Sequence, residues 1–191
     1  MLYAQVHLTL PAWVHDAVDA GRVYASDAEK VALAIELSGR NVEMASGGPF
    51  GAAVFGPDDR IIAVGVNRVV PHACSVAHAE MMAYMLAQGR TQRLRLNRDE
   101  HDTPIGPVTL ATSSQPCCQC YGATVWAGVD RLLIGARAQD VMALTEFDEG
   151  PLPADWIGEL NARGIEVVRD IERDAACAVL RAYGEQGGPQ Y

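Results

Sequence analysis

The chain has no apolar run long enough to cross a bilayer. Its opening residues, MLYAQVHLTLPAW, lack the basic stretch and apolar core of a secretory leader. The expectation is a cytoplasmic protein with no membrane partner. Positive charge is scarce: 15 Lys and Arg stand against 24 Asp and Glu, a net charge of −9, and the one short basic segment is RTQRLRLNR at 90–98. Such a field repels tRNA or DNA, so nucleic acid is an unsuitable partner and a small neutral substrate a suitable one. Internal repeats and low-complexity linkers are missing, so the 191 residues should form one domain, 1–191, with a helical lead-in over about 1–25 and a helical extension over about 151–191. Aromatic residues are sparse at 6%, yet 49% hydrophobic and 20% charged residues are enough to build a core, which excludes a disordered chain. Cysteine is scarce too. Five thiols, an odd number, argue in a reducing compartment for free thiols and metal ligands in place of a disulfide framework.

What is present is an alternation of helical and extended patterns. Residues 11–46 read as helix in two parts, PAWVHDAVDA and SDAEKVALAIELSGRNVEMA. In the second, Ser26 can cap and Glu29 answers three residues later as a capping box. GGP at 47–49 breaks the pattern, and FGAAVF and RIIAVGV, joined by PDD, predict a hairpin. The pattern continues with a buried helix in HAEMMAYMLAQG, a strand at 107–112, a helix in CCQCYGATVWAG and a strand at 131–136. Two further helices, DVMALTEF and PADWIGELNARG, an edge strand IEVVRD and a terminal helix DIERDAACAVLRAYGE complete it, ahead of a glycine-rich tail, GEQGGPQY. Alternation of this kind predicts a sheet covered by helices on both faces, an α/β fold.

Three of the five cysteines fall in PCCQC at 116–120, behind a proline that suits a helix start. A disulfide between such close neighbours would crosslink almost nothing. Cys117 and Cys120, three apart at a helix N-terminus, can turn both sulfurs to one point, where free N–H groups and the helix dipole favour thiolate. His78, opening another helix in HAE, supplies an imidazole. Three protein ligands leave one position of a zinc ion for water, as catalytic zinc does, and Glu80 lies two residues beyond His78, placed to work as general acid and base without being a ligand. A structural zinc site would want Cys118 as fourth ligand, but adjacent helical residues point about 100° apart. His72 and Cys74 are rival ligands in the preceding loop.

The pairing H-x-E followed by P-C-x-x-C is the signature of zinc-dependent nucleobase deaminases. With GGPFGA at 47–52, Asn67, HAE, PCCQC and FDE at 147–149, the chain resembles the cytidine-deaminase-like superfamily and, within it, the guanine deaminase branch. That resemblance implies a three-layer α/β/α fold around a five-stranded mixed sheet, with Zn2+ held at two helix N-termini. It implies hydrolytic loss of an exocyclic amino group from a purine, guanine giving xanthine and ammonia, with triazines such as ammeline as further substrates. Glu80 would carry the proton, and Glu149, where the family more often has Asp, would serve as a second carboxylate. Asn67 would bind the base edge, Phe50 would wall the ring, and Ala79 would join the substrate-binding residues. Tyr191 resembles a terminal tyrosine that closes the pocket, in some members by a C-terminal segment exchanged within a homodimer. Trp126 matches a tryptophan of the branch, but about 180° around the helix from Cys117 it reads as core or interface. The alternatives are a nucleoside (guanosine or cytidine) or tRNA adenosine deaminase and, in another class, a non-catalytic zinc-stabilised binding module.

Overall fold

Ser26 stops the incoming chain and starts the longest helix. Its hydroxyl accepts from the Glu29 N–H at 3.2 Å while the Glu29 carboxylate accepts from the Ser26 N–H at 3.1 Å, the reciprocal cap expected from the sequence. In the computed structural model, which describes residues 4–191, this helix is α2 (Asp27–Glu43), preceded by a single turn, α1 (Val14–Ala17). The first helical stretch is therefore shorter than its pattern suggested. Residues 18–25 leave the helix through a turn closed by the Arg22 N–H on the Asp19 carbonyl, and the chain is then held at the sheet edge: Val23 bridges to Arg60, the Tyr24 N–H donates to the Asp59 carbonyl, and the Tyr24 ring packs on Phe55 at 5.3 Å.

The hairpin forms as expected, β1 (Gly51–Phe55) against β2 (Ile61–Val66). A helical turn, α3 (Val69–His72), occupies part of the loop read as irregular, and α4 (Ala79–Thr91) follows. Next comes β3 (Thr109–Ser114), which lies two residues beyond the expected 107–112 because Ser114 still pairs with Ala136 and the Ser113 hydroxyl accepts from the Gly51 N–H. Then come α5 (Cys118–Ala127), β4 (Arg131–Ala136), α6 (Ala138–Thr145), α7 (Trp156–Asn161), β5 (Glu166–Val168) and α8 (Arg173–Glu185).

The five strands make one sheet, ordered β2-β1-β3-β4-β5. It is mixed: β1 is antiparallel to both neighbours, and β3, β4 and β5 are parallel. Every residue of β1 and β3 is buried, as strands covered on both faces must be. On one face α2, α6 and α8 pack through Val31, Leu37, Val141 and Leu180, and on the other α4, α5 and α7 through Ala83, Tyr84, Ala127 and Leu160. This is the three-layer α/β/α arrangement implied by the resemblance. Among the described residues, no helix is long and apolar enough to cross a membrane.

Candidate active site

The site forms where α4 and α5 begin. His78 is the N-cap of α4 and Cys117 the N-cap of α5, both with extended backbone, so each side chain projects from the open first turn of its helix. Close packing sets α4 at this depth. A Cβ on Gly65 of β2 would come within 2.0 Å of the Ala79 carbonyl, so only glycine lets the helix start sit this close to the sheet. The His78 Nδ1 lies 3.4 Å from the Cys117 sulfur and 3.7 Å from that of Cys120.

Tetrahedral zinc with ordinary Zn–N and Zn–S bonds separates its nitrogen and sulfur ligands by about 3.6 Å. The donor set, one imidazole and two thiols with ligand atoms within 4.8 Å of one another, therefore fits a zinc ion as it stands. A hydrogen bond from Cys120, reinforced by His78, drives the Cys117 thiol down to about 4 and the same bond pushes Cys120 up, so the pair shares a proton that a bound cation would displace. The rivals are elsewhere. His72 meets the backbone of Thr9 through its Nε2, at 3.0 Å from the carbonyl and 3.2 Å from the N–H, and Cys74 falls outside the cluster. Cys118 is exposed, and its backbone N–H donates to the Glu149 carbonyl at 3.0 Å.

Two carboxyl groups share the cleft beside these donors. Glu80, one residue into α4, is 7% exposed, and burial, aided by the Cys117 charge, raises its pKa to about 7. Glu149, buried on the loop after α6, is pushed by the same causes in the same order to about 8. Both can hold a proton near neutrality.

The cleft's other wall is aromatic. Phe50 packs on Phe147 with centroids 5.4 Å apart, and Tyr191 packs on Phe147 at 4.9 Å. The tail is folded back on its own chain: Gln190 donates to the Thr145 carbonyl at 3.1 Å, Tyr183 donates to the Pro189 carbonyl, and the Tyr191 hydroxyl reaches Gly48. Asn67, at the end of β2, is buried in the cleft with its Oδ1 accepting from the Val69 N–H at 3.1 Å.

Of the residues expected at the site, His78, Glu80, Cys117 and Glu149 come together with Phe50, Asn67 and Tyr191 around the cleft, and Cys120 completes the donor set from beneath. Ala79 does not line the cleft; it is fully buried over β2. Trp126, read as core or interface, is 73% exposed, because the buried face of α5 carries Cys120, Thr124 and Ala127. Gln115 and Phe147 line the cleft without having been singled out. The signal for Gln115 was its place just before the proline of the metal motif; for Phe147 it was membership of the FDE triplet.

A sheet sandwiched by helices, with a zinc-fitting donor set at two helix N-termini and a buried carboxyl group alongside, defines a metal-dependent hydrolase. Residues 25–136 match the family described as the cytidine and deoxycytidylate deaminase zinc-binding region. The chain belongs to that family and is a zinc-dependent hydrolytic deaminase. It is similar to a solved guanine deaminase from Nitrosomonas europaea, 42% identical over 97% of this chain and 99% of that one, with a TM-score of 0.87. A related solved structure, 41% identical over 97% and 99% of the two chains with a TM-score of 0.87, holds 8-azaguanine. A probable cytosine deaminase from Schizosaccharomyces pombe is 29% identical over 144 residues, 73% of this chain and 81% of that protein.

Proposed function

We propose that this chain deaminates guanine to xanthine, releasing ammonia, in the cytoplasm, and that residues 1–191 act as one domain. The observation that carries this reading is the presence of two buried carboxyl groups, Glu80 and Glu149, in one aromatic-walled cleft at the zinc donors. Similarity to the Nitrosomonas europaea guanine deaminase over nearly the whole chain supports it. The need for reduced thiols at Cys117 and Cys120 suits a reducing compartment.

His78, Cys117 and Cys120 hold zinc, which supplies the Lewis acidity that brings water within reach of deprotonation at neutral pH. Glu80 takes up the water's proton and returns it to the ring nitrogen next to the carbon that loses its amino group. Glu149 accepts from ring N–H groups and assists protonation of the departing ammonia. Two carboxyl groups with separate duties can serve acid and base steps in one turnover. Asn67 binds the base edge, Phe50 and Phe147 hold the ring flat, and Tyr191 covers the cleft and excludes water.

The expected partner is a small nucleobase, and a second copy of this chain to form a homodimer; the exposed Trp126, with Met85 and Leu86 also at the surface, supplies apolar area for such a contact. Tyr191 packs on Phe147 and lines the cleft of its own chain. Likeness to the probable cytosine deaminase gives the second reading. The test is ammonia release from guanine, guanosine, ammeline, adenine and cytosine by zinc-loaded protein. Guanine should be the best substrate, with xanthine as product; inactivity on every purine and triazine would end the proposal, and preference for cytosine would replace it.

A further inference from the structure

Gln115 closes the turn between β3 and the metal motif. Its backbone N–H donates to the Ala136 carbonyl at 2.8 Å, and its side-chain Oε1 accepts from the N–H of Ala138, the first residue of α6, at 3.4 Å. Pro116 follows, with its backbone φ fixed by the ring. The residue is thus tied at both ends to the junction of β4 and α6, with its amide oxygen in use.

The amide nitrogen is different. Among the described residues Gln115 Nε2 has no protein acceptor, yet the one fully enclosed side-chain polar atom without a partner is Ser114 Oγ. The Gln115 Nε2 is therefore open to a space, and the space that Gln115 lines is the cleft. Asn67 repeats the pattern, with its Oδ1 engaged by the Val69 N–H and, among the described residues, no acceptor for its NH2. The cleft thus sets two oriented amide donors against the carboxyl groups of Glu80 and Glu149. A ring that fills it has to offer acceptors to the first pair and N–H groups to the second, because a buried polar group left without a partner is costly.

Building on the purine reading above, we propose that Gln115 donates a hydrogen bond from Nε2 to an acceptor atom of the substrate ring and so sets which purines the enzyme takes. A guanine offers O6, N7 and N3 as acceptors. Losing the bond should weaken use of the ring by roughly tenfold to a hundredfold, as for other substrate-binding groups whose partner is removed.

The experiment compares wild type, Gln115→Leu and Gln115→Glu in zinc-loaded form on guanine, 2-aminopurine, 7-deazaguanine and 3-deazaguanine, the last three lacking O6, N7 and N3 in turn. Both variants should raise KM for guanine at least tenfold and move kcat less. For the one analogue that lacks the accepted atom, wild type and Gln115→Leu should share one KM. An equal loss on guanine and all three analogues would assign Gln115 a purely structural role and overturn the proposal, as would unchanged guanine kinetics. Zinc content and melting temperature report folding; if Gln115→Leu does not fold, the near-isosteric Gln115→Glu carries the same comparison. Wild-type inactivity on every purine would instead fall on the underlying reading and take this inference with it, whereas any other failure falls on Gln115 alone.

Discussion

The two halves of the cleft are built differently. The metal half draws on two short segments, His78–Glu80 and Cys117–Cys120, each within the first turn of a helix, so local backbone aims the side chains of each segment and the packing of two helix starts is all that is needed to join them. The ring half takes Phe50, Asn67, Gln115, Phe147, Glu149 and Tyr191 from scattered loops, strand ends and the chain terminus. Chemistry that tolerates little displacement sits on rigid helix starts. Recognition, which has to admit and release a ligand, sits on loops and on a tail fastened by a few hydrogen bonds and ring contacts.

If this division is right, damage to the metal half should abolish turnover and damage to the ring half should change affinity. The largest effect is expected from Cys117→Ala or Cys120→Ala, or from chelation of wild type: activity at background and zinc lost from the variants, by metal analysis and ammonia release, with only the chelated wild type restored by added zinc. Glu80→Ala should keep its zinc yet lower kcat by about 10²-fold to 10⁴-fold, the usual worth of a general acid–base group; retained turnover would refute its role. Glu149 is the ring-half residue that crosses the division, since it also carries a proton; Glu149→Gln should cost less than Glu80→Ala, roughly 10²-fold in kcat, because it keeps the shape and removes only the proton acceptor. Gly48→Ala should move KM alone, by roughly threefold to tenfold. A Cβ there would lie 1.9 Å from the Tyr191 hydroxyl, the movable end of a side chain, so the tail should be displaced and cut earlier by protease while the rest folds. The smallest effect is expected from Ser26→Ala, remote from both halves: about 1 kcal/mol of stability from the lost cap and roughly 2–4 °C in melting temperature, with kinetics unchanged.

Legibility followed the same divide. The capping box at Ser26 and Glu29, the hairpin and the two pieces of the metal motif, His78–Glu80 and Cys117–Cys120, are legible because each is a short local pattern; that α4 and α5 meet, across 39 positions of sequence, is decided by packing. The stretch at 11–20 read as helix and is a single turn, since Tyr24 and Val23 are captured by Phe55, Asp59 and Arg60 across the sheet edge. Of the two places the sequence allows for Trp126, core or interface, the structure excludes the core, because the sheet covers the face of α5 that carries Cys120, Thr124 and Ala127. Gln115 drew no notice beside the cysteines, because an uncharged amide becomes informative only when its hydrogen-bond partners are known.

By itself the sequence determined the reactive chemistry: an imidazole and a carboxylate at one helix start and two thiols at another, each pair aimed by helical periodicity. Only the tertiary structure decided how a ring is held. The contact of Phe50 and Phe147, the return of Tyr191 to Gly48 and the direction of the Gln115 amide arise from segments far apart in the chain. The packing of helices on both faces of one sheet is what brings those segments together.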